Sequence, residues 1–191
     1  MSKLKIAVIG TGLVGTFHAE AFFRNPNSEL VAVCDVDKEK VNSVAQSFNC
    51  KAYEDFTKLI NTETLDAISI ATPEQIRIEP AVMSVKKGLK ILLEKPLGRN
   101  LEKIHELVDK IKDHKKIISV NFILHEDPRY KLMKEKVKND EIGNIVSCFA
   151  RRRGNRFGIE IYAPWTDLLS STLTVSYTHL RAHETFAISS A

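Results

Sequence analysis

The sequence predicts an α/β protein: a doubly wound parallel sheet followed by the truncated start of a second α/β domain. Three observations carry that prediction. Over residues 1–121, short apolar strand signals alternate with helical ones. A glycine turn, Gly10-Thr11-Gly12-Leu13-Val14-Gly15, separates the first strand signal from the first helical one. After Asn121 the alternation gives way to a different pattern.

Five strands are read in order. They are Lys5–Ile9, Leu30–Cys34, Asp66–Ala71, Lys90–Leu93 and Ile117–Val120. Each is a short, nearly continuous apolar run, which suits a strand buried on both faces of a parallel sheet. Helical patterns separate them. Ile78, Ala81, Val82 and Val85 recur at helical spacing, as do Leu101, Ile104, Leu107, Val108 and Ile111 behind Asn100 as N-cap. Repeated β-α units of this length require right-handed crossovers.

Beyond Asn121, Asp127-Pro128 reads as an N-cap followed by proline at the first helical position. A helix to about Asn139 follows, with Leu132, Met133 and Val137 as its apolar members. Glu141–Asn144 is a turn, and Ile145–Arg153 alternates like the first strand of another sheet. The expected organisation is a dinucleotide-binding domain over 1–121, the start of a second domain over 122–174 and a tail over 175–191 with no clear period.

Composition narrows the function classes. The chain has 191 residues, with 28 Lys and Arg against 24 Asp and Glu, and a net charge of +4. That mild balance points neither to nucleic acid nor to an anionic membrane. Hydrophobic residues at 43% and charged residues at 27% argue for a globular chain and against disorder. No apolar run reaches the roughly 20 residues of a membrane-spanning helix, and the N-terminus lacks the apolar core of a signal peptide. Cys34, Cys50 and Cys148 are far apart and lack metal-ligand spacing. A reduced, cytoplasmic protein without a bound metal is expected.

The chemistry concentrates at the ends of the predicted strands. The glycine turn is a G-x-G-x-x-G motif that follows a strand and opens a helix. Gly10 allows the tight turn, Gly12 allows a pyrophosphate to approach the backbone, and Gly15 lets helix and strand pack closely. The helix start then offers free N–H groups and a positive dipole end to phosphates. Asp35 lies 20 residues beyond Gly15, at the end of the second strand. Its carboxylate suits the adenine ribose hydroxyls and would repel a 2′-phosphate, which favours NAD, with NADP the other candidate. A glycine turn that binds nothing is the bland reading, and the agreement of strand, turn, helix and terminal acid argues against it.

Thr72-Pro73 follows the third strand and Glu94-Lys95-Pro96 the fourth, both at carboxyl ends where open α/β sheets bind ligands. Lys95 is therefore the best candidate for contact with a reacting hydroxyl. On position alone, a surface lysine beside a turn proline is an equal reading.

The ordered run of Gly10-Gly12-Gly15, Asp35, Ala71-Thr72-Pro73, Gly88-Leu89-Lys90 and Glu94-Lys95-Pro96 resembles the glucose–fructose oxidoreductase, inositol dehydrogenase and rhizopine catabolism (Gfo/Idh/MocA) family. Asp127-Pro128-Arg129-Tyr130 and the stretch from Ile142-Gly143 to Arg153 extend the resemblance into the second domain, so that it covers residues 3 to about 157. It implies a Rossmann-type first domain, a second domain with an open sheet, and hydride transfer between NAD(P) and a sugar, cyclitol or other polyol. It also implies a homo-oligomer for the full-length form. By resemblance Lys95 is the catalytic residue and binds or protonates the reacting oxygen, across a Lys95-Pro96 bond in the cis form. Gly10, Thr11, Gly12, Leu13, Val14, Gly15, Asp35, Ala71, Thr72, Pro73, Glu94 and Lys95 form the implied cofactor-binding set.

The chain departs from the family in three places. Arg77 stands five residues after Thr72, where the family often has a histidine, and this difference is expected to be minor. His125 and Glu126 stand where relatives often carry arginine and phenylalanine, which leaves substrate contacts there open. No G-x-H-x-x-D-like segment is present to supply the histidine that usually partners the lysine, and His179 and His183 lack the aspartate, so the 191-residue chain is expected to bind cofactor but to be inactive or weakly active. The stretch Val175–Thr185 instead resembles a peptide translated from sequencing-adapter DNA, so the tail is expected to be non-native.

Blander readings attach to the remaining features. Arg151, Arg152, Arg153 and Arg156 are a basic cluster without the supporting motifs of a nucleic-acid site. His18 reads as a packed or solvated side chain rather than a ligand. Arg129 and Tyr130 suit either a substrate pocket or helix-start packing, and Lys131–Lys138 a solvated helix face. A non-catalytic dinucleotide-binding or sensor module is the alternative to an enzyme. An oxidoreductase of another Rossmann family is disfavoured by Glu94-Lys95-Pro96.

Overall fold

The computed structural model describes residues 2–98, 101–112 and 118–146. The chain divides into two compact units, Met1–Asn121 and Phe122–Ala191. The first unit is a single parallel sheet wrapped by helices. In chain order it runs β1 (Leu4–Ile9), α1 (Leu13–Arg24), β2 (Ser28–Cys34), α2 (Lys38–Phe48), β3 (Lys51–Tyr53), α3 (Phe56–Thr62) and β4 (Ala67–Ile70). A 3-10 turn over Glu74–Ile76 leads to α4 (Ile78–Lys86), β5 (Lys90–Leu93), α5 (Leu101–Ile111) and β6 (Ile118–Val120).

The strands lie in the order β3-β2-β1-β4-β5-β6, and every pairing is parallel. This is the doubly wound order, with its switch point between β1 and β4, where the chain reverses its direction of progress across the sheet. The two faces are covered by different helices. Ala7 and Ile9 of β1 join Leu59, Ile60, Ala81, Val85 and Leu107 in one core. Val8, between them in sequence, joins Ala19, Val41 and Ala45 in the other. Alternate residues of one strand thus feed opposite cores, which is why the strand reads as a continuous apolar run.

The register between β1 and β2 shifts at Ile6/Ala7, where Val31 is the extra residue. Val31 and Ala32 consequently both face the first core, and Leu30 and Val33 the second. Helix starts follow local chemistry. Asp37, Asp55 and Asp127 cap α2, α3 and the helix over Pro128–Lys138 by accepting first-turn N–H groups. Helix α1 begins on Gly12 with no side-chain cap.

The sheet has six strands where five were read. The additional β3 is a three-residue edge strand with Lys51 and Ala52 exposed, so it carries no apolar run to announce it. The Asn100 N-cap lies outside the described residues.

In the second unit, a 3-10 turn over Ile123–His125 precedes α6 (Pro128–Lys138), which has proline in its first turn as expected. A turn follows, with Gly143 at φ +65°. Ile145 and Val146 are described without strand pairing, and the rest of the expected strand through Arg153 lies outside the described residues. So do Cys148, Arg156, His179, His183 and the 175–191 tail. Among the described residues, no helix is long and apolar enough to cross a membrane. Nor does any group of three or more His, Cys, Asp or Glu side chains form a candidate metal site.

Candidate functional site

The carboxyl ends of β1, β2, β4 and β5 meet at the switch point. Gly10 follows β1 with φ +93°, donates its N–H to Cys34 O at 2.7 Å, and lies against the Ala71–Thr72 backbone. A Cβ on Gly10 would sit 2.9 Å from that backbone, so conformation and space both require glycine. A Cβ on Gly15 would fall 1.8 Å from Gly10 O. Helix α1 is thereby pressed onto the turn that precedes it. Gly12 is the opposite case: a Cβ there would meet nothing within 4 Å. Its missing side chain serves no contact within the described fold, and it leaves open the uncapped start of α1. Leu13 and Val14 follow it, 63% and 44% exposed.

Asp35 lies just past β2, held by its N–H to Tyr53 O. Its Oδ2 accepts from Thr11 N–H at 2.7 Å and from the Thr11 hydroxyl at 3.0 Å. Its Oδ1 accepts from Asp37 N–H at 3.0 Å. The carboxylate therefore rests on the glycine turn, with Thr11, itself buried, as the link. A carboxylate has about four acceptor positions, so hydroxyl donors can still be taken.

Across the switch point, Ala71 is half-buried, Thr72 buried and Pro73 exposed. The Thr72 Oγ1 atom is buried without a hydrogen-bond partner. A buried hydroxyl in that state points to a missing group, because leaving it unsatisfied costs about 1–3 kcal/mol. Glu94-Lys95-Pro96 follows β5, with the Lys95-Pro96 peptide cis and Lys95 half-buried.

Glu94 is 6% exposed and is gripped from three directions. His18 Nε2 lies 3.2 Å from its Oε1, Asn121 Nδ2 donates to the same oxygen, and Lys95 N–H donates to Oε2 at 3.1 Å. Burial alone would raise the Glu94 carboxyl, but these bonds outweigh it and hold the group below its usual range, as the carboxylate. An ionised Glu94 accepts only, so His18 must donate from Nε2. In the neutral ring this leaves Nδ1 to accept from the Ser69 hydroxyl, 2.7 Å away. The 3.2 Å approach of Asn121 Nδ2 to His18 Nε2 is then two donors converging on one oxygen.

Arg77 is 3% exposed. Its Nη1 donates to the carbonyls of Glu94 and Pro96, and its Nη2 to the carbonyl of Thr72. Burial pulls the guanidinium below its usual range, opposed by the charges of Glu94 and Glu74. Arg77 thus ties together two loops of the site, and the expectation of a minor difference at this position understated it. Ser69 and Asn121 were also missed. Ser69 had a signal, since it is the polar residue within an otherwise apolar strand. Asn121 had none beyond its place after a strand. His18, with its side chain 12% exposed, joins Glu94 and Ser69 in this network, which its reading as a packed or solvated side chain did not include.

The residues fit a dinucleotide. The glycine turn leaves room at Gly12, the uncapped α1 offers N–H groups, Asp35 stands at the end of β2, and Thr72 has an unsatisfied hydroxyl.

Comparison with known proteins agrees with that chemistry. A sequence model of the oxidoreductase family with an NAD-binding Rossmann fold matches residues 4–122. The inositol 2-dehydrogenase of Rubrobacter xylanophilus is 30% identical over 146 residues, covering 75% of this chain and 42% of that protein. The structure of myo-inositol 2-dehydrogenase from Lactobacillus plantarum aligns with TM-score 0.72 at 30% identity, over 75% of this chain and 43% of that one. That of the Lactobacillus casei myo-inositol dehydrogenase in complex with NAD(H) and myo-inositol aligns with TM-score 0.69 at 31% identity, over 74% and 43%. The chain thus spans less than half the length of these relatives. With the family's motifs placed on the switch point of a six-stranded parallel sheet, the chain belongs to the Gfo/Idh/MocA oxidoreductase family and carries its NAD-binding Rossmann fold.

Proposed function

We propose that this chain carries the cofactor-binding and lysine-bearing part of an NAD-dependent oxidoreductase acting on a sugar, cyclitol or related polyol. The observation that carries the reading is the open backbone at Gly12 beside an Asp35 carboxylate that rests on the same turn. Bound NAD supplies the hydride acceptor for alcohol oxidation or, reduced, the donor for the reverse reaction.

The chain's own residues do the rest. Gly10, Thr11, Gly12, Leu13, Val14 and Gly15 present the first turn of α1 to the pyrophosphate. Asp35 accepts the adenine ribose hydroxyls and disfavours a 2′-phosphate, so NAD is preferred to NADP. Ala71, Thr72, Pro73 and Glu94 line the cofactor. Lys95 hydrogen-bonds the reacting oxygen and moves its proton. The polyol assignment follows the relatives whose names carry inositol dehydrogenation. We also place the start of a substrate domain over 122–174, exclude the 175–191 tail from function, and expect the full-length protein to assemble with copies of itself. Free Cys34 and Cys50 suit a reducing, cytoplasmic setting.

The test combines a fluorescence titration of NADH and NADPH with an assay of NAD reduction across a panel of cyclitols and aldoses. The parent and Lys95→Met are compared. The reading expects the 191-residue chain to bind NADH saturably in preference to NADPH with little or no turnover, and the full-length protein to show polyol-dependent turnover that Lys95→Met lowers by about a hundredfold or more while NADH still binds within about threefold of the parent. NADH binding without turnover on any polyol in the full-length protein would favour the non-catalytic module.

A further inference from the structure

We propose that Arg77 is a positioning residue: its guanidinium clamps the carboxyl ends of β4 and β5 together and so sets where Lys95 stands relative to the dinucleotide. The proposal rests on the dinucleotide reading above and adds to it the residue that holds the lysine in place.

The geometry is specific. Two of the three carbonyls that Arg77 satisfies, Glu94 O and Pro96 O, bracket Lys95 in sequence, and one nitrogen, Nη1, takes both. The third, Thr72 O, belongs to the loop whose backbone lies against Gly10. A continuous path of contacts therefore runs from the glycine turn through the Thr72 backbone and the Arg77 guanidinium to the Glu94 and Pro96 carbonyls on either side of Lys95 in sequence. The Glu94 side chain anchors the same segment through His18 of α1 and Asn121 after β6. Lys95 is thus carried on a segment fixed both through its main-chain carbonyls and through its neighbour's carboxylate.

Only a guanidinium suits this place. It offers planar, forked N–H donors that reach several acceptors at once, whereas an ammonium is a single point. A buried cation is costly unless it is hydrogen-bonded and compensated. Here the three carbonyls bond Nη1 and Nη2, leaving Nε buried without a partner, and Glu94 and Glu74 supply the opposing charge. Small displacements of a reacting group cost rate steeply, so a residue that fixes two loops at once acts on chemistry without touching substrate.

The test measures Lys95 directly in the 191-residue chain. Reductive methylation of lysines is followed by peptide mass spectrometry with and without NADH, using exposed Lys86 as the internal reference. Parallel measurements give NADH affinity by fluorescence and fold by circular dichroism. In the parent, bound NADH is expected to slow methylation of Lys95, relative to Lys86, by about fivefold or more. Arg77→Lys, which keeps charge and stem but not the fork, is expected to stay folded and bind NADH within about threefold of the parent, with protection of Lys95 reduced below about twofold. Millimolar guanidinium added to Arg77→Ala is expected to restore protection.

Retention of the parent's protection in either variant would overturn the proposal. So would failure of both variants to fold, or a fall in NADH affinity that matches the fall in protection, since each marks a purely structural role. A parent that binds NADH but leaves Lys95 unprotected overturns the positioning claim alone. A parent that does not bind NADH overturns the functional reading and this proposal with it.

Discussion

Gly12 and Gly15 stand three residues apart in one motif, and the structure assigns them opposite consequences. Consider Gly12→Ala. The added methyl meets nothing within 4 Å, and the residue already has φ −65°, which alanine adopts without strain. What remains is the weaker preference of alanine for the N-cap position, about 0.5–1 kcal/mol. For a domain of this size that lowers Tm by roughly 2–5 °C. Gly15→Ala instead places its methyl 1.8 Å from Gly10 O and 2.8 Å from Gly10 C. Helix α1 must retreat by on the order of 1 Å, an overpacking cost of about 3 kcal/mol or more.

Ligand binding should rank the two differently. Gly12→Ala fills the space kept for a pyrophosphate and should weaken NADH binding by about tenfold or more, 1.4 kcal/mol at least. Thermal unfolding by circular dichroism and NADH titration of the two variants check this together. A Gly12→Ala chain that binds NADH like the parent, or that is as unstable as Gly15→Ala, would refute the reasoning.

Other outcomes follow from the same geometry. Asp35→Asn should keep the fold while raising NADPH affinity relative to NADH by about tenfold, read by paired titrations; an unchanged ratio would remove Asp35 from ribose recognition. Glu94→Gln replaces an acceptor of three hydrogen bonds, so urea unfolding near pH 7 should show a loss of about 1–3 kcal/mol. Because the folded Glu94 carboxyl lies below its ordinary value of 4.5, its stabilisation is complete above that value and lost as pH falls through the folded one. The parent's advantage over Glu94→Gln should therefore disappear in acid, and an advantage that persists or grows there would contradict the assignment. Burial, then Asp35 and Asp55, push the Cys34 thiol up to about 12. Iodoacetamide at pH 8 should alkylate Cys34 only after unfolding, and rapid labelling in the native chain would contradict its burial.

Much of this was legible because local and global signals agree along the first unit. β1, β2, β4 and β5 announce themselves as apolar runs because both sheet faces are covered, and Gly10, Gly12 and Gly15 fix where the first strand turns into helix. The edge strand β3 was illegible, since Lys51–Tyr53 is short and largely exposed. The shift at Val31 leaves no mark, because any β-branched residue there looks like ordinary strand. At the site, Asp35 was nominated by its place at a strand end, whereas Lys95 was an even choice on position and was singled out by the family resemblance. Arg77, Ser69, His18 and Asn121 come from four separate segments, and their convergence on Glu94 and its neighbours is a tertiary fact. An arginine in a short turn reads as solvated until three backbone carbonyls are found around its guanidinium.

The central claim is that the carboxyl-end switch point of this sheet binds a nicotinamide dinucleotide. The most direct measurement is an amide correlation spectrum of the 15N-labelled chain, titrated with NADH. The account predicts saturable shifts concentrated at Gly10, Thr11, Gly12, Gly15, Asp35, Thr72 and Lys95, with α3 and the outer face of α2 unmoved. A folded spectrum that does not change, or shifts that gather away from the glycine turn, would contradict it.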